Sequence, residues 1–117
     1  KMNINEQSES NLSSRVIDAI NDIEGFNNCR IEYCNVAHSN LQIAFDYQHY
    51  DKKEEKCRRN RKVKKILFFK SKKKLGADKD AIGCAITSDS KDIRDEVYRL
   101  IKTSDDASSL ISEYLNN

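Results

Sequence analysis

The side chains best suited to metal binding or nucleophilic chemistry are Cys29, Cys34, Cys57, Cys84, His38 and His49. No two cysteines stand as a CxxC pair, the spacing that lets neighbouring thiolates close on one zinc ion. Cys29 and Cys34 are five apart, which in an unbroken strand places them on opposite faces, so no metal site is expected. Three of the thiols fall within apolar alternating segments and read as free, mostly buried groups of a reducing compartment. Nothing resembles a Ser-His-Asp or Cys-His arrangement, and no acidic pair sits in an apolar setting. Three glycines in 117 residues leave almost no room for a phosphate-cradling loop. The two histidines fall at a turn and a strand end. The expectation is a domain without catalytic residues or cofactor.

The segment that could do chemistry is cationic. Between Lys52 and Lys74 lie thirteen of the 21 Lys and Arg residues, against only Glu54 and Glu55, while the remainder of the chain carries an excess of acid. Such asymmetry points to a polyanionic partner for one side of the molecule. The candidate anion-binding residues are Arg58, Arg59, Arg61, Lys62, Lys64 and Lys65, then Lys70, Lys72, Lys73 and Lys74. Through the middle of this band runs Ile66-Leu67-Phe68-Phe69, which does not alternate. Ile66 and Phe68 can go under helices. Leu67 and Phe69 then need cover from a loop, a partner or a lipid interface; at a lipid interface Phe68 or Phe69 is the candidate for shallow insertion.

An acidic membrane surface fits this band, because each Lys or Arg near an anionic leaflet contributes about 1 kcal/mol. Nucleic acid fits less well: no RNA-recognition strand signature or recognition helix is present, and adjacent phenylalanines face opposite ways. "RRNRKVKK" also passes as a nuclear localisation signal. The expected setting is therefore cytoplasmic at the membrane surface, with the nucleus as the alternative. No apolar run approaches the roughly 20 residues of a membrane span.

The elements that must carry these residues follow from periodicity. Residues 1–9 are polar and read as a linker from an upstream region, with a single domain over residues 10–117. From Ser10 a helical stripe of Leu12, Val16, Ile20 and Ile23 runs toward Gly25, which suits a helix C-terminus. Cys29, Ile31 and Tyr33 alternate with Arg30 and Glu32. After the turn "AHSN", Leu41, Ile43, Phe45 and Tyr47 alternate with polar residues, so two half-buried antiparallel strands are expected. "DKKEEKCRRNR" reads as a mobile loop or short surface helix. "KVKKILFFKS" and "AIGCAITS" supply two more strands, the latter with Ile82, Cys84 and Ile86 inward. Ser88 or Ser90 caps a helix with stripe Ile93, Val97, Leu100 and Ile101, and Ser104 or Asp105 caps a last one with Leu110, Ile111, Tyr114 and Leu115. The fold class is α+β: a four-stranded antiparallel sheet with an N-terminal helix and two C-terminal helices on one face.

In "RVIDAINDIEGFNNCRIEY", "SNLQIAFDY" and "AIGCAITSDSKDIRDEVYRLI" the order of elements resembles the kinase-associated (KA1-like) domain at the C-terminus of some Ser/Thr kinases, including fungal bud-neck kinases. That resemblance implies a module that docks on acidic phospholipids such as phosphatidylserine and targets a larger protein to the membrane. The helix after Ser104 departs from that family's commoner layout. "DIRDEVYRLIKTSDDASSLISEYL" is similar to the paired C-terminal helices of the RWD domain of kinetochore and monopolin subunits, which implies instead a protein partner or a homodimer.

Overall fold

The computed structural model describes residues 6–59, 64–71, 82–87 and 91–116. In chain order these form α1 (Glu6–Asn21), β1 (Phe26–Ala37), β2 (Asn40–Asp51), β3 (Lys56–Arg59), β4 (Lys64–Lys70), β5 (Ile82–Ile86), α2 (Lys91–Thr103) and α3 (Asp105–Leu115). The architecture is the expected α+β one, but the sheet has five strands rather than four. All pairings are antiparallel, in the order β1-β2-β4-β5. β3 and β4 lie end to end along the same edge of β2, β3 against Gln48–Asp51 and β4 against Leu41–Phe45. The sheet thus has four rows, the third formed by β3 and β4 together.

The core lies between one face of the sheet and the three helices. From α1 it takes Leu12, Val16 and Ile20, from β2 Leu41, Ile43, Phe45 and Tyr47, and from β4 Ile66 and Phe68. α2 contributes Ile93, Val97 and Ile101, and α3 contributes Ala107, Ile111, Tyr114 and Leu115. Each set has the period of its element, 3.6 or 2, so one stripe per element is enough to close a single core. The α3 N-cap is Ser104, whose Oγ accepts from the Ala107 N–H at 3.2 Å. The cap expected for α2, at Ser88 or Ser90, lies outside the described residues. Among the described residues no helix is long and apolar enough to cross a membrane.

Four expectations need correction. α1 begins at Glu6, four residues before the expected start at Ser10; Glu6, Gln7 and Glu9 are good helix formers, and acids are favourable near a helix N-terminus. Gly25 does adopt a positive φ of 85°, but four residues beyond the end of α1, in the turn whose Gly25 carbonyl accepts from Tyr50 N–H at 2.9 Å. β1 does not alternate cleanly. Register shifts between Asn27 and Arg30 and between Ile31 and Tyr33 turn Tyr33 to the opposite face, beside Ala44, and bring Cys34 into the core with Cys29. Each bulge adds a residue and reverses the alternation beyond it, which is why a spacing of five does not separate the two thiols. Finally, "DKKEEKCRRNR" is neither helix nor open loop up to Arg59. Lys52–Glu55 is a four-residue turn and Lys56–Arg59 a strand. Heavy charge is compatible with this because a short strand at a sheet margin leaves its side chains in water.

Candidate functional site

The turn between β2 and β3 is built by its own acids. Asp51 Oδ1 accepts from the backbone N–H groups of Lys53 (2.9 Å) and Glu54 (3.3 Å), an Asx-type arrangement that folds the chain back. Glu55 takes a positive φ of 52°. The Arg58 guanidinium then bonds Glu54 and lies 3.6 Å from Asp51, while Lys56 Nζ is 3.3 Å from Glu54. Arg58 is therefore paired within its own hairpin.

Arg59 is tied more deeply. Its guanidinium bonds Asp46 on β2, a carboxylate only 6% exposed. Arg30 on β1 reaches the same group from the other side, donating from Nε to Oδ1 (3.1 Å) and from Nη2 to Oδ2 (2.9 Å). Hydrogen bonding by Arg30 holds the Asp46 carboxyl below its ordinary value, helped by Glu32 and by the Arg30 and Arg59 charges, against the opposing effect of burial. The same bond raises Arg30. This three-strand clasp fixes β3 to the sheet. Neither Arg30 nor Asp46 stands out in the sequence, since a lone Asp on a polar strand face carries no signal of its partners.

The remaining described cations are on β4. Lys64, Lys65 and Lys70 have no carboxylate partner among the described residues; Lys65 Nζ stands 6.0 Å over the Tyr33 ring. Arg61, Lys62, Lys72, Lys73 and Lys74 lie outside the described residues. Phe68 is wholly buried, whereas Leu67 and Phe69 are half-buried on the face away from the helices. The cationic band is thus not uniform: Arg58 and Arg59 serve the fold, Lys65 and Lys70 are exposed, and Lys64 is half-buried.

Charge follows the layers. Described residues between β1 and the end of β5 hold nine Lys and Arg against five Asp and Glu, whereas the three helices hold five against nine. The acidic side borders a cleft of about 620 Å³ whose charged lining is Asp22, Glu24, Asp92, Asp95 and Glu96 with Lys52, and which Tyr50, 46% exposed, also lines.

The cysteines show no reactive environment where the structure resolves one. Burial first, then the Asp46 charge, pushes the Cys29 thiol up to about 12, and burial pushes Cys84 up to about 11. Both stay protonated and un-nucleophilic near neutral pH. Cys57 is exposed and accepts from Asn27 Nδ2 at 3.6 Å. His38 is in the β1–β2 turn and His49 near the end of β2, its ring 6.3 Å from that of Tyr47. Among the described residues no three His, Cys, Asp or Glu side chains are grouped to hold a metal ion.

Comparison of the chain with protein-family models, with curated proteins and with solved structures finds no match.

Proposed function

We propose that the chain is a non-catalytic protein-docking module of the RWD type. The observation that supports this is the placement of α3. Its Ala107, Ile111, Tyr114 and Leu115 are part of the one core, so helix, meander and two closing helices form a single unit. That order is the one the RWD resemblance implies, while an integral last helix departs from the commoner kinase-associated layout. The self-pairing of Arg58 and Arg59 also takes two cations from any membrane-facing set.

A second reading, a module docking on anionic phospholipid, is favoured by one observation: Lys64, Lys65 and Lys70 carry no internal counter-charge among the described residues. Sedimentation separates the two. The docking reading expects the purified chain to dimerise, or to form a stoichiometric complex with a partner protein that survives raised salt. It fails if the chain stays monomeric and partnerless yet is retained at low salt by vesicles of about one-fifth phosphatidylserine and released at high salt.

A further inference from the structure

We propose that the open face of the sheet, over β4 and β5, seats an acidic amphipathic segment of a partner protein. The inference rests on the docking reading above and assigns it a surface and a partner chemistry.

An antiparallel sheet with one side in water should read polar on that side. β2 does so, with Gln42, Asp46 and Gln48. The next two rows do not. Leu67 pairs across to Ala85 and Phe69 to Gly83, and Tyr33 stands on the same face beside Ala44, which is opposite Lys65. The core stripes of the helices lie on the other face. Large residues of β4 here face small ones of β5. The Phe69 ring lies directly over Gly83, where an added Cβ would come 2.4 Å from Cε2. The result is an apolar patch that the chain's own helices leave uncovered.

Charge decides what fits on it. β4 and β5 contain no Asp or Glu. Lys65 stands on the patch's own face, exposed and without a carboxylate partner among the described residues, whereas Lys64 and Lys70, opposite Phe45 and Ile82, lie on the core side at the two ends of β4. Arg30, on the adjoining polar half, keeps a side chain 59% exposed although bonded to Asp46. A basic or neutral segment would leave the Lys65 ammonium partly desolvated and unpaired, whereas carboxylates flanking an apolar stripe would pair with it and with the exposed side of Arg30. A single-stranded nucleic acid is also anionic. However, Tyr33 and Phe69 are separated by two strand spacings and four residues along β4, roughly 16 Å, too far apart to stack neighbouring bases, and Leu67 between them offers no π-face.

The test is an amide chemical-shift titration of the labelled chain with a synthetic helical peptide bearing Leu at i, i+3 and i+4 spacing and Glu elsewhere. Separate arms use a scrambled peptide of the same composition, a single-stranded oligonucleotide and phosphatidylserine vesicles. Shifts should gather at Tyr33, Lys65, Leu67, Phe69 and Ala85, and affinity should fall roughly tenfold or more in Lys65→Glu and in Leu67→Glu. Lys65 is exposed, so Lys65→Glu decides the matter should Leu67→Glu fail to fold. Equal binding of the scrambled peptide, shifts confined to the helices, or no binding overturns the inference. If the chain then still forms its stoichiometric protein complex, the docking reading stands without this surface. Engagement of the face by vesicles or oligonucleotide alone overturns both.

Discussion

Asp46 is the residue on which the placement of β3 turns. It is one nearly buried carboxylate shared by Arg30 and Arg59, and removing its charge leaves two guanidinium groups without their shared counter-charge at a three-strand junction. Asp46→Asn keeps the shape and should destabilise the fold by about 2 kcal/mol, measured by urea unfolding at neutral pH. The same residue sets an acid limb. Its folded-state value lies below the unfolded one, so its contribution is complete above the ordinary carboxylate range near pH 4. It is lost as pH falls through the depressed value. Unfolding free energy plotted against pH should therefore drop less steeply below about pH 4 in Asp46→Asn than in the wild type. None of this could be read from the sequence: Arg30, Asp46 and Arg59 meet only because β1, β2 and β3 are neighbours in this register. A count of cations between residues 52 and 74 cannot tell a guanidinium that anchors a strand from an ammonium that faces solvent.

At the scale of elements, periodicity carried most of the fold. The stripes of α1, β2, α2 and α3 and the Ser104 cap are visible in sequence because each is local: a 3.6- or 2-residue repeat, or a hydroxyl three residues before the N–H that it accepts from. What local pattern could not show is where the repeat breaks. The bulges in β1 depend on its pairing with β2, and the strand Lys56–Arg59 has no apolar alternation at all. It exists through main-chain pairing with β2 and through salt bridges. The turn between β1 and β2 is a further case. His38 and Ser39 both hold positive φ, 53° and 65°, the conformation of a two-residue turn that favours Asn-Gly. The double change His38→Asn with Ser39→Gly should stabilise the protein by about 1 kcal/mol in thermal or urea unfolding, since neither new residue is strained there. An unchanged or lowered stability would mean that the turn has another geometry.

Across the whole molecule, two layers of opposite charge share one core, and α3 closes it. Ile111 is wholly buried, and Ile111→Ala should cost about 3 kcal/mol, on the scale of a central core position rather than that of a peripheral tail. A loss below about 1 kcal/mol would mark α3 as an appendage and remove the main support for the RWD-type order. The layered charge explains why a net charge of +2 says little about partners: the helix side and the sheet side would attract different things. It also gives the docking reading its direction, toward the open face that carries Lys65.

The most direct test of that reading is photo-crosslinking in cells from position 65, with Lys65 replaced by a photoreactive residue and the adducts sorted into protein and lipid by mass spectrometry. The account predicts a discrete protein adduct whose partner, purified, rebuilds a stoichiometric complex with the wild-type chain. Adducts to phospholipid headgroups, with no protein complex that can be rebuilt from pure components, would contradict it.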